Sequence, residues 1–182
     1  DTKLDFELSI SREIVGICCE IQPYQATLVP EKREEITTEG GLDAIEHGMR
    51  LKETITHLKG EGVSNVALFL DPDLDQIDEA ARLGATAIEL HTGDYANALR
   101  VEKRVHILDR MKKAAERAHQ NGLIVHAGHG LDTENYPLFG SSVPHLKEVS
   151  IGFAIVARAI FIGIRGAVEE LNNIIASSPY TG

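Results

Sequence analysis

The chain of 182 residues has no tryptophan, two methionines and two cysteines. Those cysteines are neighbours, Cys18 and Cys19, so a disulfide framework has no basis and a reducing, cytoplasmic setting fits. Cationic side chains are also scarce: 18 Lys and Arg face 28 Asp and Glu, for a net charge of -10. A general nucleic-acid binder needs a basic footprint and is excluded, although local phosphate sites are not. No apolar run is long enough to span a bilayer, so a membrane is not among the expected partners. There is no serine elbow motif, internal repeat, low-complexity tract or linker.

What is present is ordinary for a soluble globular protein, with 43% hydrophobic and 25% charged residues. No break in composition divides it, so residues 1–182 are expected to form a single domain. Short apolar runs with Gly, Pro or Asp punctuation predict strands at Lys3–Ser9, Ala26–Pro30, Asn65–Leu70, Ala87–Thr92, Leu123–Ala127 and Glu148–Gly152. Helical spacing links Val101, Val105, Leu108, Met111, Ala115 and Ala118, and again Val168, Leu171 and Ile175. Asp43 and Glu46, after the pair Gly40-Gly41, predict a capped helix start. Cys18 falls on a stripe with Ile14, Ile17 and Ile21 and reads as a small core residue.

Strand alternation then sorts the side chains. In AIELHT, Ile88 and Leu90 share one face, and Ala87, Glu89 and His91 the other. In LDFELS, Leu4, Phe6 and Leu8 oppose Asp5, Glu7 and Ser9. One apolar and one small or polar face suits a parallel βα barrel better than a doubly wound sheet, which wants both faces apolar. A closed barrel of this type has eight strands. The shortfall of two, and an opening at a strand edge without an initiator Met, lead to the expectation that two βα units are absent from the N-terminal side.

Titratable groups gather at four strand ends: Glu7; Glu31 with Lys32 and Arg33; Glu89 with His91; and His126 with His129. In a barrel these meet at the C-terminal mouth, where acid/base chemistry is expected. The run LIVHAGHGL carries two histidines among glycines, and EVSIGFAIVARA passes from strand to helix at Gly152. Glycine backbone and helix N-termini at consecutive strand ends favour a phosphate site. Glu89, His91, His126 and His129 also offer donors for a divalent ion, but His126 and His129 have opposite strand parity and further ligand spacing is missing, so no metal is expected. The connection EKREEITTEGGL is long for a βα loop, and its hydroxyls, cations and flexible Gly40-Gly41 suit a substrate-covering segment. His47, His57, His106, His119 and His145 fall among polar neighbours and read as solvated.

Four motifs in order, LVPEKREEITTEGGLD, AIELHTGDYA, HAGHGL and SIGFAIVARA, closely resemble the pyridoxine 5′-phosphate synthase family of the deoxyxylulose-dependent vitamin B6 pathway. The resemblance runs from about Lys3 to the C-terminal helix. It implies a TIM (β/α)8 barrel of which this chain matches strands 3 to 8. It implies condensation of 1-deoxy-D-xylulose 5-phosphate with 3-amino-2-oxopropyl phosphate, releasing phosphate and water, with no cofactor. By motif, Glu7 matches a proton acceptor, His129 a proton donor and Glu89 a group stabilising transition states. Thr37 matches a contact to the deoxyxylulose phosphate, while Gly130, Gly152 and the position of Phe153 match those holding the aminoketone phosphate. Many members have His where this chain has Phe153, so a backbone contact is implied there. Another catalytic histidine and several phosphate ligands lie on the family's first two strands, so the chain alone is expected to be inactive. A homo-octamer is implied as well. The competing expectations are a sugar-phosphate isomerase or aldolase, for which Lys32 is the sole strand-end lysine, and a non-catalytic barrel that binds a phosphorylated metabolite.

Overall fold

A computed structural model describes residues 2–30 and 40–180. In chain order its elements are β1 (Asp5–Leu8), α1 (Arg12–Ile21), β2 (Gln25–Leu28), α2 (Gly48–Gly60), β3 (Asn65–Leu70), α3 (Leu74–Leu83) and β4 (Ala87–His91). There follow α4 (Gly93–Ala96), α5 (Val101–Gln120), β5 (Ile124–Gly128), α6 (Tyr136–Ser142), β6 (Leu146–Ser150) and α7 (Phe153–Ser177), which is broken into two helical arms at Gly163. The six strands form one parallel sheet in sequential order, β1 to β6. Each return to the start of the next strand needs a crossover, and helices supply it. Lys3, just before β1, makes an ion pair with Glu148 of β6. The sheet therefore curls until its two edges approach each other, as in a barrel that has not closed.

The alternation expected for β4 is observed on every inner strand. Leu8, Ala26, Leu28, Leu68, Leu70, Ile88, Leu90, Val125 and Ala127 join the core beneath the helices. Ile55, Leu58, Ile77, Met111 and Ala115 complete it from α2, α3 and α5. Burying such side chains stabilises by roughly 1.5–3 kcal/mol each relative to exposure. Local signals fix the helix ends. Asp73 caps α3 by accepting from the N–H groups of Asp75 (2.9 Å) and Gln76 (3.3 Å), and Gly84 ends it in the left-handed region.

Three expectations need correction. Asp43 accepts from the N–H groups of Ile45 and Glu46, but this closes a turn, and α2 begins only at Gly48. Cys18 is buried as expected, whereas Ile17 and Ile21 are exposed, and Val15 takes their place in the core. α1 lies against an edge strand, and among the described residues α2 is the helix packed most closely on it, so its buried stripe is narrow. The last strand begins at Leu146, two residues before the expected start.

Candidate active site

The inner face of the sheet differs sharply from the outer one. Gln25, Thr27, Glu89, His91 and His126 are buried polar side chains there, alongside Ala67, Phe69 and Ala87. Low in this interior, Asp5 accepts from Gln25 Nε2 and from Thr27 Oγ1, both at 2.8 Å. Gln25 Nε2 also lies 3.3 Å from His126 Nδ1. Burial lowers the pKa of His126, favouring the neutral ring.

A cleft of about 1140 Å³ opens between the β1 and β6 edges. Asp5, Glu7, His129, Gly130, Ser150, Gly152, Phe153 and Arg158 line it. Two of the expected acid/base groups, Glu7 and His129, thus face one space together with both glycines. His129 stands just past β5 with φ of 77°, a left-handed turn that an L residue rarely adopts. This turn takes it out of strand parity. Its ring packs against Phe69 (centroids 4.5 Å apart) and meets the His91 ring edge-on at 5.7 Å. His126, by contrast, stays inside near Gln25, so the two histidines serve separate surroundings. Among the described residues no three His, Cys, Asp or Glu side chains form a group able to hold a metal ion.

Thr92 fixes the turn at the end of β5. Its N–H and hydroxyl both donate to the Gly128 carbonyl, at 2.9 and 2.7 Å, and the hydroxyl also reaches the His129 carbonyl. Asn135 Nδ2 holds the next carbonyl, that of Gly130, at 2.9 Å. The turn is thereby fastened at three consecutive carbonyls.

Glu89 lies beneath the cleft, 1% exposed, and neither carboxylate oxygen has a well-formed hydrogen bond. Burial, reinforced by the charges of Glu7 and Asp5 and weakly opposed by Ser150, pushes its pKa up to about 8. Near neutral pH this group is chiefly a protonated acid able to donate a hydrogen bond. Gly128 makes room for it, since a Cβ at that position would overlap Glu89 Oε1.

On the other side of the cleft, Gly152 caps α7, and Gly152, Phe153 and Ala154 at the helix N-terminus line the opening. Phe153 is 90% exposed. Arg158 was not singled out from the sequence. It also borders the cleft, and Glu170 binds its guanidinium through two contacts, at 2.7 and 3.0 Å. Thr37, with Glu31, Lys32 and Arg33, lies outside the described residues. His47, His57, His106, His119 and His145 are on or near the surface, His119 and His145 with stacked rings 3.8 Å apart.

Sheet order, strand polarity and a polar interior opening at the strand C-termini define a protein of the TIM-barrel type. Solved structures agree at the level of fold. A xylose isomerase domain protein from Planctomyces limnophilus superposes with TM-score 0.57 at 10% identity, covering 95% of this chain and 71% of that one. A HpcH/HpaI aldolase from Desulfitobacterium hafniense gives 0.54 at 13% identity, covering 96% and 73%. Sequence is more specific. Residues 1–177 match the model of the family "Pyridoxal phosphate biosynthesis protein PdxJ", and the chain belongs to that family. Pyridoxine 5′-phosphate synthase of Salinibacter ruber is 51% identical over 176 residues, 97% of this chain and 72% of that protein. The enzyme of the same name from Magnetococcus marinus is 42% identical over 180 residues, 99% and 73% respectively. No helix among the described residues is long and apolar enough to cross a membrane.

Proposed function

We propose that the protein is a pyridoxine 5′-phosphate synthase, which joins 1-deoxy-D-xylulose 5-phosphate to 3-amino-2-oxopropyl phosphate and releases phosphate and water. The observation that carries this function is the shared cleft of Glu7, His129, Gly130 and Gly152 with Glu89 directly below. Imine formation, dehydration and loss of phosphate each require a proton to move. Glu7 takes protons from the substrate and His129 returns them. The buried, protonated Glu89 donates a hydrogen bond to oxygen that gains charge on the way. Amides at Gly130, Gly152 and Phe153 grip a phosphate, which holds the amine and ketone in reacting position. Thr37 contacts the deoxyxylulose phosphate.

The chain supplies strands 3 to 8 of a (β/α)8 barrel in this proposal, and two further βα units pair with the free edges of β1 and β6. Support comes from those unpaired edges, from the cleft between them, and from the exposed apolar side chains Val156, Ile160 and Phe161 before the Gly163 break in α7 and Ile164 after it. The completed barrel acts on small phosphorylated substrates without a cofactor, in the cytoplasm and as a homo-octamer.

The test is product formation by the full-length protein and its His129→Asn variant. We expect the parent to form pyridoxine 5′-phosphate, and the variant to do so about 10²–10⁴-fold more slowly while still binding substrate. An unchanged rate removes His129 from the mechanism. A parent that binds both phosphates and never turns over is a binding protein rather than a synthase.

A further inference from the structure

We propose that Asp71 and His91 form a positioning pair that sets the orientation of the His129 ring and ties it to the end of the 31–42 connection; this rests on the role given to His129 above. Phe69 and Asp71 share strand parity, as do Glu89 and His91, so all four side chains lie on the inner side at the mouth. Asp71 Oδ1 is 2.9 Å from His91 Nδ1. The same carboxylate also accepts the Gly41 N–H, and the two contacts hold it ionised, below the usual carboxylate range. An ionised carboxylate only accepts, so His91 presents Nδ1–H to it.

The Nε2 atom of that ring is buried, has no hydrogen-bond partner, and points at Gly93, where a Cβ would lie 2.5 Å away. His91 itself is 4% exposed. Its ring stands edge-on to His129 at 84°, and Phe69 touches both rings, 5.1 Å from His91 and 4.5 Å from His129. His129 is therefore steadied by two rings, one of which is held by Asp71. Histidines in acid/base sites commonly take their orientation from a carboxylate on the far nitrogen.

The other arm of Asp71 reaches the chain that follows β2. Gly41 approaches so closely that a Cβ there would overlap the Asp71 backbone nitrogen and Leu70. The Leu42 N–H then donates to the Phe69 carbonyl at 2.7 Å. The Gly40-Gly41 pair, expected to provide freedom, instead permits a fixed contact at Gly41. One carboxylate thus joins Gly41 to the ring beside the proton donor.

The experiment compares full-length parent, Asp71→Asn, His91→Phe and His129→Asn. Histidine ring resonances are recorded by nitrogen-15 NMR, with the His129 signal assigned by its disappearance in His129→Asn. Both pair variants are expected to shift that signal and to lower kcat about 100-fold with KM changed no more than about twofold. His91→Phe keeps a ring in the stack, so it folds even if Asp71→Asn does not. An unmoved His129 signal with unchanged kcat overturns the proposal, and so does lost stability with an unmoved signal. If the parent makes no product, the synthase function fails on its own, and the His129 signal still decides whether the pair positions that ring.

Discussion

The two faces of β4 put neighbouring residues to opposite uses. Ile88 and Leu90 lie fully buried in the core and contribute by burial alone. Glu89 and His91, one residue away on either side of Leu90, are just as buried yet hold groups that burial penalises. A carboxylate without well-formed hydrogen bonds at 1% exposure is a liability for folding. Its retention makes sense where a protonated acid is needed at neutral pH. The outer face is therefore chosen for stability, and the inner face holds chemistry at some expense to it.

Exchanging the roles of adjacent residues breaks this contrast most directly. Glu89→Gln in the full-length protein is expected to lower kcat about 10²–10³-fold, measured by steady-state product formation, without destabilising the fold at neutral pH. Leu90→Ala should do the reverse, losing about 2–5 kcal/mol in denaturant titrations while the surviving folded enzyme keeps its kcat. Equal effects of both variants on stability and rate would erase the distinction between faces.

Smaller changes sharpen it. Gly128→Ala pushes a methyl group into the Glu89 carboxyl and should destabilise by about 1–3 kcal/mol, read as a lower denaturation midpoint. Thr92→Val removes the hydroxyl shared by the Gly128 and His129 carbonyls. It is expected to lose about 1–2 kcal/mol on the same titration.

The subtlest prediction concerns pH. Folding raises the Glu89 pKa from its ordinary 4.5 to about 8. Its stabilising share is fully present below 4.5 and is lost as pH rises to about 8, because the folded state resists losing the proton. Glu89→Gln does not titrate there, so its stability relative to the parent should climb over that interval and then level off. A constant difference across the interval would show that Glu89 ionises normally.

Legibility followed the same division between faces. Central strands were evident from the sequence because each is an apolar run covered by helices, and the observed β3 matches its expected limits, Asn65–Leu70. β6 begins two residues before its expected start because it is an edge strand whose LKEVS sequence stays half exposed and lacks an apolar run. The exposure of Ile17 and Ile21 was equally hidden, since their periodicity does not say how many neighbours α1 has. Glu7, Glu89, His129, Gly130 and Gly152 could be found from strand ends and motifs. Asp71 and Thr92 could not. Asp71 acts on a residue 20 positions away, and Thr92 on carbonyls 36 and 37 positions away, so only the register of β3, β4 and β5 reveals them.

The most direct measurement is a crystal structure of the full-length protein with the aminoketone phosphate bound. The expected result is a phosphate within hydrogen-bond reach of the Gly130 and Gly152 amides, with the Glu7 carboxylate and the His129 ring facing the same ligand. A phosphate bound elsewhere, with Glu7 and His129 turned away from it, would contradict it.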